Sequence, residues 1–198
     1  MSTAYTKLIS SSTTNVLSLG AAKDSLRIPA DDVAQDSLIT TCLQAAVRFA
    51  EQRTERILSE SVYQIRIPAT QANIVLPYPD FILLTKLEAM TASGQRTDLY
   101  TNNPASGNLA DYITVDDWLN PAEITVLATN IPDTAVYYIL TVSFGMGTSV
   151  PEDLLNAIKM MINHFFDNPS EVVLGRISTQ VPMGADTIFG LHHFKRFG

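Results

Sequence analysis

The pattern that most restricts the fold of this chain is an apolar stripe of helical period that follows Pro151. Apolar residues recur there at steps of three and four, and polar residues occupy the other side. The stripe consists of Leu154, Leu155, Ile158, Met161, Ile162, Phe165 and Phe166. Pro151 suits the first turn of a helix, and Asn168-Pro169 ends the pattern. The sequence therefore predicts an amphipathic helix over about 151–167, which must bury one face.

Two further helices are predicted before the middle of the chain. The first covers about 18–28, with Ser18 as N-cap and Pro29 at its end. The second covers about 32–58, and an aspartate near its start, Asp31 or Asp36, suits its N-terminus. Its apolar positions are Leu38, Ile39, Cys42, Leu43, Ala46, Phe49, Ala50 and Ile57. We expect the core of the helical scaffold to include Leu43, Val47, Ile158, Ile162 and Phe165.

The segment between these helices, about 60–145, has the character of β-strands. Short runs alternate apolar and polar residues and are separated by turn residues. The predicted strands are Ser61–Pro68, Ile74–Leu76, Leu83–Ala92, Asp111–Val115, Glu123–Ala128 and Ala135–Phe144. Ser93-Gly94-Gln95 predicts a hairpin turn, and residues 102–108 a loop. The predicted fold class is therefore α+β, a helical bundle scaffold with a small, mostly antiparallel β-rich insertion and a C-terminal arm and helix.

The two ends of the chain differ from the domain predicted over 18–169. Residues 1–17 are rich in Ser and Thr and predict a flexible or extended arm. Ser170–Met183 has no sustained period. It is interpreted either as a surface loop or as an arm that adds a strand to a neighbour. Asp186–Phe197 predicts a short terminal helix, so that 170–198 forms a C-terminal arm and docking segment.

Composition excludes several classes of protein. Charged residues make up 17%, below the usual ~25%, which suggests that some surface faces a partner. A net charge of −7 argues against nucleic-acid binding through a basic surface. A single cysteine excludes an intrachain disulfide and a Cys-rich zinc site. No apolar run approaches the ~20 residues of a membrane span, and the N-terminus has no apolar secretory core, so a soluble intracellular protein is expected.

The histidines and the acidic pairs of this sequence lack the spacing of a catalytic or metal-binding site. His192 and His193 are adjacent and project about 100° apart on a helix, and His164 lies alone near a helix end. The acidic pairs Asp31-Asp32 and Asp116-Asp117 are expected to cap or solvate loops. The sequence therefore predicts no catalytic, cofactor-binding or metal-ligating residue.

Three other features have simple structural interpretations. Gly145–Ser149 lacks the lysine of a phosphate-binding loop and predicts a turn between a strand and a helix. Cys42 is expected to be a buried small hydrophobe. Trp118, the only tryptophan, could anchor a loop at a subunit interface or cap the core of its own sheet.

The order and spacing of several short motifs resemble those of the head–tail connector (adaptor) proteins of tailed bacteriophages. No single motif is specific, and the likeness depends on their succession over about 17–197. The motifs are Leu17–Ile28 followed by Asp31-Asp32, Leu38-Ile39, Ala45-Ala46, Ala50-Glu51, Thr54–Leu58, Ile74–Pro79, Gly94, Val142–Gly145, Val150-Pro151, Ala157-Ile158, His164–Phe166 and Val181–Gly184.

The resemblance implies a structural, non-enzymatic subunit of a virion. Such subunits form a twelvefold ring beneath the portal protein ring and extend the channel through which DNA leaves. On its far side, the ring contacts a stopper or tail protein. The expected location is therefore the head–tail neck of a virion made in the host cytoplasm. DNA would pass without sequence-specific binding, no membrane would be involved, and repeated acidic subunits would keep DNA from adhering.

Within this family the C-terminal segment docks on the portal, which assigns that role here to the last apolar and basic residues. Leaving a phenylalanine side chain exposed forfeits ~1.5–3 kcal/mol, so three near the chain end call for a cover. The docking residues are expected to be Ile188, Phe189, Leu191, Phe194, Lys195, Arg196 and Phe197. The alternative is a terminal helix that packs on its own domain. Two other functions also stay open, a stopper or tail-completion protein and a small soluble ligand-binding or enzymatic domain.

Overall fold

The computed structural model describes residues 5–102, 105–118, 120–127, 131–132, 134–169 and 182–194. Its contacts divide the chain into a helical unit, from residues 12–60 and 146–198, and a β unit, from residues 1–11 and 61–145. The β unit is thus inserted between two helices of the helical unit. The predicted α+β class is confirmed.

The helical unit contains helices α1 (Leu19–Leu26), α2 (Asp36–Thr54), α3 (Glu152–Asp167) and α4 (Met183–Leu191). Ser18 caps α1 as predicted, since its Oγ accepts a hydrogen bond of 3.2 Å from the backbone N–H of Ala21. The C-terminal caps of α1 and α2, Arg27 and Glu55, adopt left-handed backbone conformations that end each helix. These bounds lie inside the predicted ranges for α1, α2 and α3, whereas α4 begins and ends earlier than the predicted 186–197.

The core of the helical unit is formed by the apolar faces of α1, α2, α3 and α4. Its buried residues are Val16, Leu17, Ala22, Ile39, Cys42, Leu43, Ala46, Val47, Ala50, Leu58, Val150, Leu154, Ala157, Ile158, Met161, Ile162, Phe165, Ala185 and Phe189. All five residues expected to form the scaffold core are among them. Cys42 is fully buried, and this burial raises the pKa of its thiol.

A buried cation organises the connection between α1 and α2. Lys23 is a buried residue whose Nζ lies 2.5 Å from Asp36 Oδ1. The same Nζ donates hydrogen bonds to the carbonyl oxygens of Ala30 (3.2 Å) and Asp32 (2.9 Å). One ammonium group therefore fixes the course of the connecting loop, because a buried charge requires such partners.

The strands of the β unit, in the part of the chain that the structure describes, form two sheets. The strands are β1 (Tyr5–Ser12), β2 (Glu60–Pro68), β3 (Asn73–Val75), β4 (Phe81–Thr91), β5 (Arg96–Asn102), β6 (Ala105–Ser106), β7 (Ile113–Asp116), β8 (Glu123–Val126) and β9 (Ala135–Phe144). One sheet has the order β1-β2-β9-β4-β5-β6, and the other has the order β3-β8-β7. The pairs β2–β9, β4–β9, β4–β5, β5–β6, β3–β8 and β7–β8 are antiparallel, which is the predicted arrangement.

The register of the larger sheet places apolar residues on one face and brings charged residues together on the other. Ile65, Leu140 and Leu87 lie side by side across β2, β9 and β4, and all three are buried. The neighbouring row, which points to the opposite face, places Arg66 beside Ile139. Glu88 follows in that row on β4.

Some predictions in the β region need correction. Residues 5–12, predicted as part of a flexible or extended arm, form an edge strand of the larger sheet. Part of the predicted loop over 102–108 belongs to the short pair β5–β6. Gly107 follows β6 at a φ of +76°, where a Cβ would clash with the carbonyl oxygen of Leu99. The hairpin predicted at Gly94 is present, with φ +84°.

The two ends of the inserted β unit are held side by side. Within the β unit, Ser61 at the start of β2 pairs with Phe144 at the end of β9. Within the helical unit, the backbone N–H groups of Met146 and Gly147 donate to the carbonyl oxygens of Ile57 (3.1 Å) and Leu58 (3.0 Å). The predicted turn at 145–149 is a short 3-10 segment, Gly147–Ser149. The segment that follows α2 is therefore hydrogen-bonded directly to the segment that precedes α3, although the β unit separates them in the sequence.

The burial of the α3 stripe predicts a sharp contrast between two substitutions on one helix. Ile158→Asp would place an unpaired charge where the side chain is fully buried, and we expect it to lower the free energy of unfolding by more than about 3 kcal/mol. Asn156→Asp, on the exposed side of α3, should leave stability nearly unchanged. Urea unfolding followed by circular dichroism measures both. Equal stability of the two variants would contradict the core assignment.

Candidate interaction surfaces

Helix α4 packs on its own unit, which corrects part of the predicted docking set. Phe189 is completely buried, and its ring meets that of Phe49 edge-on at a centroid distance of 5.8 Å. Ala185, one turn earlier, is also buried. These two residues share the helix face that contacts α2 and α3. Phe189 is therefore a core residue of the helical unit and is not an exposed anchor.

Polar contacts fasten both ends of α4. At its start, Arg53 Nε donates to Asp186 Oδ1 at 2.9 Å. At its end, His192 Nε2 lies 2.7 Å from Asp153 Oδ2, in the first turn of α3. The hydrogen bond with His192 lowers the pKa of the Asp153 carboxyl below its ordinary value, and the backbone N–H of Leu154 acts in the same direction.

The segment after α4 is fixed by contacts with the end of α2. The backbone N–H of Phe194 donates to the carbonyl oxygen of Thr54 at 2.7 Å. The guanidinium of Arg56 lies 5.8 Å from the centre of the half-buried Phe194 ring. Phe194 therefore also contributes to packing within this chain. The remaining predicted docking residues, Lys195, Arg196 and Phe197, and the arm at 170–181 lie outside the described residues.

The outward face of α4 is uncharged and largely apolar. Met183 and Leu191 expose 76% and 77% of their surface. Thr187 lies between them, because the three residues follow one another at steps of four. Met160 of α3 is 43% exposed, and its Sδ is 3.8 Å from the position that a Cβ on Gly184 would occupy. We call Met160, Met183, Thr187 and Leu191 the α4 patch.

The α4 patch overlaps only in part with the docking residues predicted from the sequence. Leu191 is exposed as that set requires, whereas Ile188 is half-buried against the core of the helical unit. Met183 was missed because the terminal helix was predicted to start at residue 186. Met160 lies outside the predicted docking set because it is not part of the apolar stripe of α3. Its place among the polar residues of the other side of the helix could have marked it as an outward apolar residue.

A second candidate surface lies in the β unit, at the loop after β7. Trp118 is 96% exposed, so the prediction that it could cap the core of its own sheet is wrong. Its backbone N–H donates to Asp116 Oδ1 at 3.2 Å. Further along, Asn120 Oδ1 accepts a hydrogen bond of 3.1 Å from the backbone N–H of Asp80. We call Asp116–Trp118 the Trp118 loop.

The charged face of the larger sheet contains a cavity of about 190 Å³. Its lining residues are Tyr5, Thr6, Lys7, Gln64, Arg66, Arg96 and Ile139. Three cations from three different strands thus surround one space, which we call the cationic cavity. The sequence did not indicate it, because β1, β2 and β5 are far apart in the chain and become neighbours only through the sheet order.

The carboxylates near the cationic cavity are already engaged. Lys86 Nζ lies 3.2 Å from Glu88 and 2.8 Å from Asp98. The Asp98 hydrogen bond is the main cause of the raised pKa of Lys86. Arg96 reaches Glu88 only at 3.9 Å, and the Arg66 guanidinium lies 3.8 Å from the centre of the Tyr137 ring. Within the described part of the chain, neither Lys7 nor Arg66 forms an ion pair with a carboxylate.

The described ranges contain neither a candidate metal site nor a candidate membrane span. No group of three or more His, Cys, Asp or Glu residues there could hold a metal ion. No helix there is long and apolar enough to cross a membrane.

Comparison with solved structures finds chains of the same fold in gene transfer agent (GTA) particles. A chain from the neck of an empty GTA particle, computed with C6 symmetry, has a TM-score of 0.72 and 19% identity, over 98% of this chain and 97% of that chain. A chain from the virion of a native GTA particle has a TM-score of 0.70 and 18% identity, over 97% and 96%. A chain from the neck of a native GTA particle, computed with C12 symmetry, has a TM-score of 0.66 and 18% identity, over 98% and 97%.

No family model and no curated protein matches the sequence. At identities as low as those of the solved chains, the likeness establishes a shared fold. It extends over nearly the whole of this chain and of each similar chain, and thus includes both the helical unit and the inserted β unit.

The contact between Asp153 and His192 predicts a pH-dependent contribution to stability. A carboxyl whose pKa is lowered in the folded state stabilises the fold above its unfolded pKa, and the contribution is lost as the pH falls through the folded pKa. We therefore expect Asp153→Asn to be slightly less stable than the unsubstituted chain at about pH 6, and the difference to shrink when the pH is lowered to about 2. Urea unfolding at both pH values measures it. Glu152→Gln, in the same first turn and exposed, is the control, and a difference independent of pH would contradict the prediction.

Proposed function

We propose that this chain is a structural subunit of the neck of a phage-like particle, namely an adaptor that joins the capsid to the tail. Its subunits form a ring beneath the portal and extend the channel for DNA. The observation that carries the proposal is the near-complete fold likeness to chains from the necks of GTA particles. The bacteriophage-adaptor motifs along the sequence point to the same role by an independent route.

A ring is the assembly that this proposal requires. The two neck structures were computed with C6 and C12 symmetry, which supports a ring of this chain as well. A closed ring needs each subunit to offer two different surfaces to its neighbours. The helical and β units both carry exposed apolar side chains that such contacts would cover.

The α4 patch is the proposed docking surface for the portal. Its apolar side chains gain about 25 cal/mol for each Å² that a partner removes from water. Contacts on the inner side and at both ends of α4 hold the helix in place, so little ordering remains to be done on binding. This assignment keeps Leu191 from the predicted docking set and adds Met160 and Met183.

The charge of the chain fits the passage of DNA. A net charge of −7 on each subunit makes the ring acidic, so a duplex would be repelled from the channel wall. Structural work of this kind needs neither a cofactor nor a catalytic residue, and we propose a non-enzymatic role.

A stopper or tail-completion protein is the alternative within the same neck. Only an adaptor contacts the portal directly, so portal binding separates the two functions.

A substitution in the α4 patch tests portal docking. We expect Leu191→Glu to reduce binding to the portal ring about tenfold or more, because the new carboxylate would have to be buried in an apolar contact. Co-sedimentation of the purified chain with the portal of its own particle measures the binding. Val33→Glu is a matched control, since Val33 is also an exposed apolar residue of the helical unit, with 70% of its surface accessible.

Both variants must keep the helicity and the unfolding midpoint of the unsubstituted chain. Deleting residues 186–198 is not a suitable test, since the deletion would remove Phe189 from the core. If Leu191→Glu binds the portal as well as Val33→Glu does, the α4 patch is not the docking surface. If the unsubstituted chain does not bind the portal at all, the adaptor assignment fails and the stopper alternative is favoured.

A further inference from the structure

The side chains of the Trp118 loop have the exposure and composition that are typical of a protein-binding surface. An indole ring has a large apolar area, and tryptophan is among the residues that contribute most to binding energy at protein interfaces. Here that ring is 96% exposed, although the hydrogen bond to Asp116 holds the backbone of its loop in place. Because this hydrogen bond restrains the backbone, binding would mainly fix the two side-chain torsions of the tryptophan.

The charge beside Trp118 indicates what kind of surface the loop fits. Asp116 and Asp117 are both exposed and precede the indole directly. A complementary surface must therefore offer cations together with space for an aromatic ring.

The cationic cavity meets both requirements. Lys7, Arg66 and Arg96 supply three positive charges around it, and Tyr5 and Ile139 supply apolar lining. Its volume is about 190 Å³. The arginines can bind carboxylates through two parallel hydrogen bonds, and Arg66 can do so with its guanidinium on the Tyr137 ring.

We propose that the Trp118 loop of one copy binds the cationic cavity of the next copy. The high exposure of Trp118 means that the loop does not fill the cavity of its own chain. One chain therefore carries both halves of a head-to-tail contact, and such contacts close into a ring when the rotation between copies allows it. This inference rests on the proposed ring, for which it names the contact between subunits.

DNA is a less suitable occupant of the cavity. Non-specific duplex binding requires cations that follow the phosphate backbone over several contacts. The cationic cavity is a compact cluster, on a chain whose net charge of −7 opposes a polyanion. The carboxylates of the Trp118 loop of a second copy, in contrast, are accompanied by an indole ring that can pack on the apolar lining of the cavity.

The fluorescence of Trp118 tests the proposal directly, because it is the only tryptophan in the chain. We expect its emission to shift to the blue, and its quenching by acrylamide to fall, when subunits assemble alone or on the portal ring. Analytical ultracentrifugation measures the assembly in the same samples. Trp118→Ala should weaken self-association about tenfold or more, whereas Val136→Ala, which alters a half-exposed apolar residue of the β unit, should not.

Reversing charges on the two sides identifies the partners. Asp117→Arg and Arg66→Asp should each abolish self-association, because each places like charges together. An equimolar mixture of the two variants should assemble again, since the altered loop fits the altered cavity and the original loop fits the original cavity. Asp24→Arg, at an exposed position of the helical unit, controls for the change in net charge. Circular dichroism must show that each variant is folded, and Lys7→Glu can replace Arg66→Asp if it is not.

The outcomes separate this inference from the proposed function. A ring in which Trp118 stays exposed to acrylamide would overturn the inference and leave the adaptor role standing. A mixture of the charge-reversed variants that fails to assemble would also overturn it. Binding of duplex DNA that depends on Arg66, without self-association, would assign the cavity to phosphate instead. A chain that neither self-associates nor binds the portal would overturn both.

Discussion

The pairing of β2 with β9 is the interaction on which the rest of the structure depends. It closes the inserted β unit at its base, where Ser61 lies opposite Phe144. Closing a long loop costs conformational entropy that grows with its length, and here the pairing of strands in the sheet offsets that cost. The two chain segments that lead into and out of the β unit are therefore adjacent. Within the helical unit, the backbone hydrogen bonds of Met146 and Gly147 to Ile57 and Leu58 join them. Helices α2 and α3 can then pack as if they were consecutive.

The parts of the fold that local patterns determine could be predicted from the sequence. The stripe of α3, the Ser18 cap and the turn at Gly94 each depend on residues close together in the chain. Strand β1 could not be predicted, because its Ser- and Thr-rich residues are exposed and only pairing at the sheet edge orders them. The burial of Phe189 agrees with the alternative of a terminal helix that packs on its own domain. The sequence could not decide between the two alternatives, since two buried positions in a helix of nine residues give too weak a period to show which face is inward.

The candidate surfaces differ in how far the sequence indicated them. Leu191 was anticipated as a docking residue, because an apolar residue near a chain end with little core of its own attracts attention. The cationic cavity needed the sheet order, which brings Lys7, Arg66 and Arg96 together from distant parts of the chain. The α4 patch belongs to the helical unit, whereas the Trp118 loop and the cavity belong to the β unit. The proposed contact with the portal and the proposed contact between copies thus lie in different units of the chain.

The burial of Cys42 has a practical consequence. Its thiol is inaccessible to reagents, and its raised pKa keeps it protonated at neutral pH, so it reacts slowly. A cysteine introduced on the surface would therefore be the only fast-reacting thiol in the folded chain. Spectroscopic probes or cross-linkers can be attached at one chosen position without first removing the native residue.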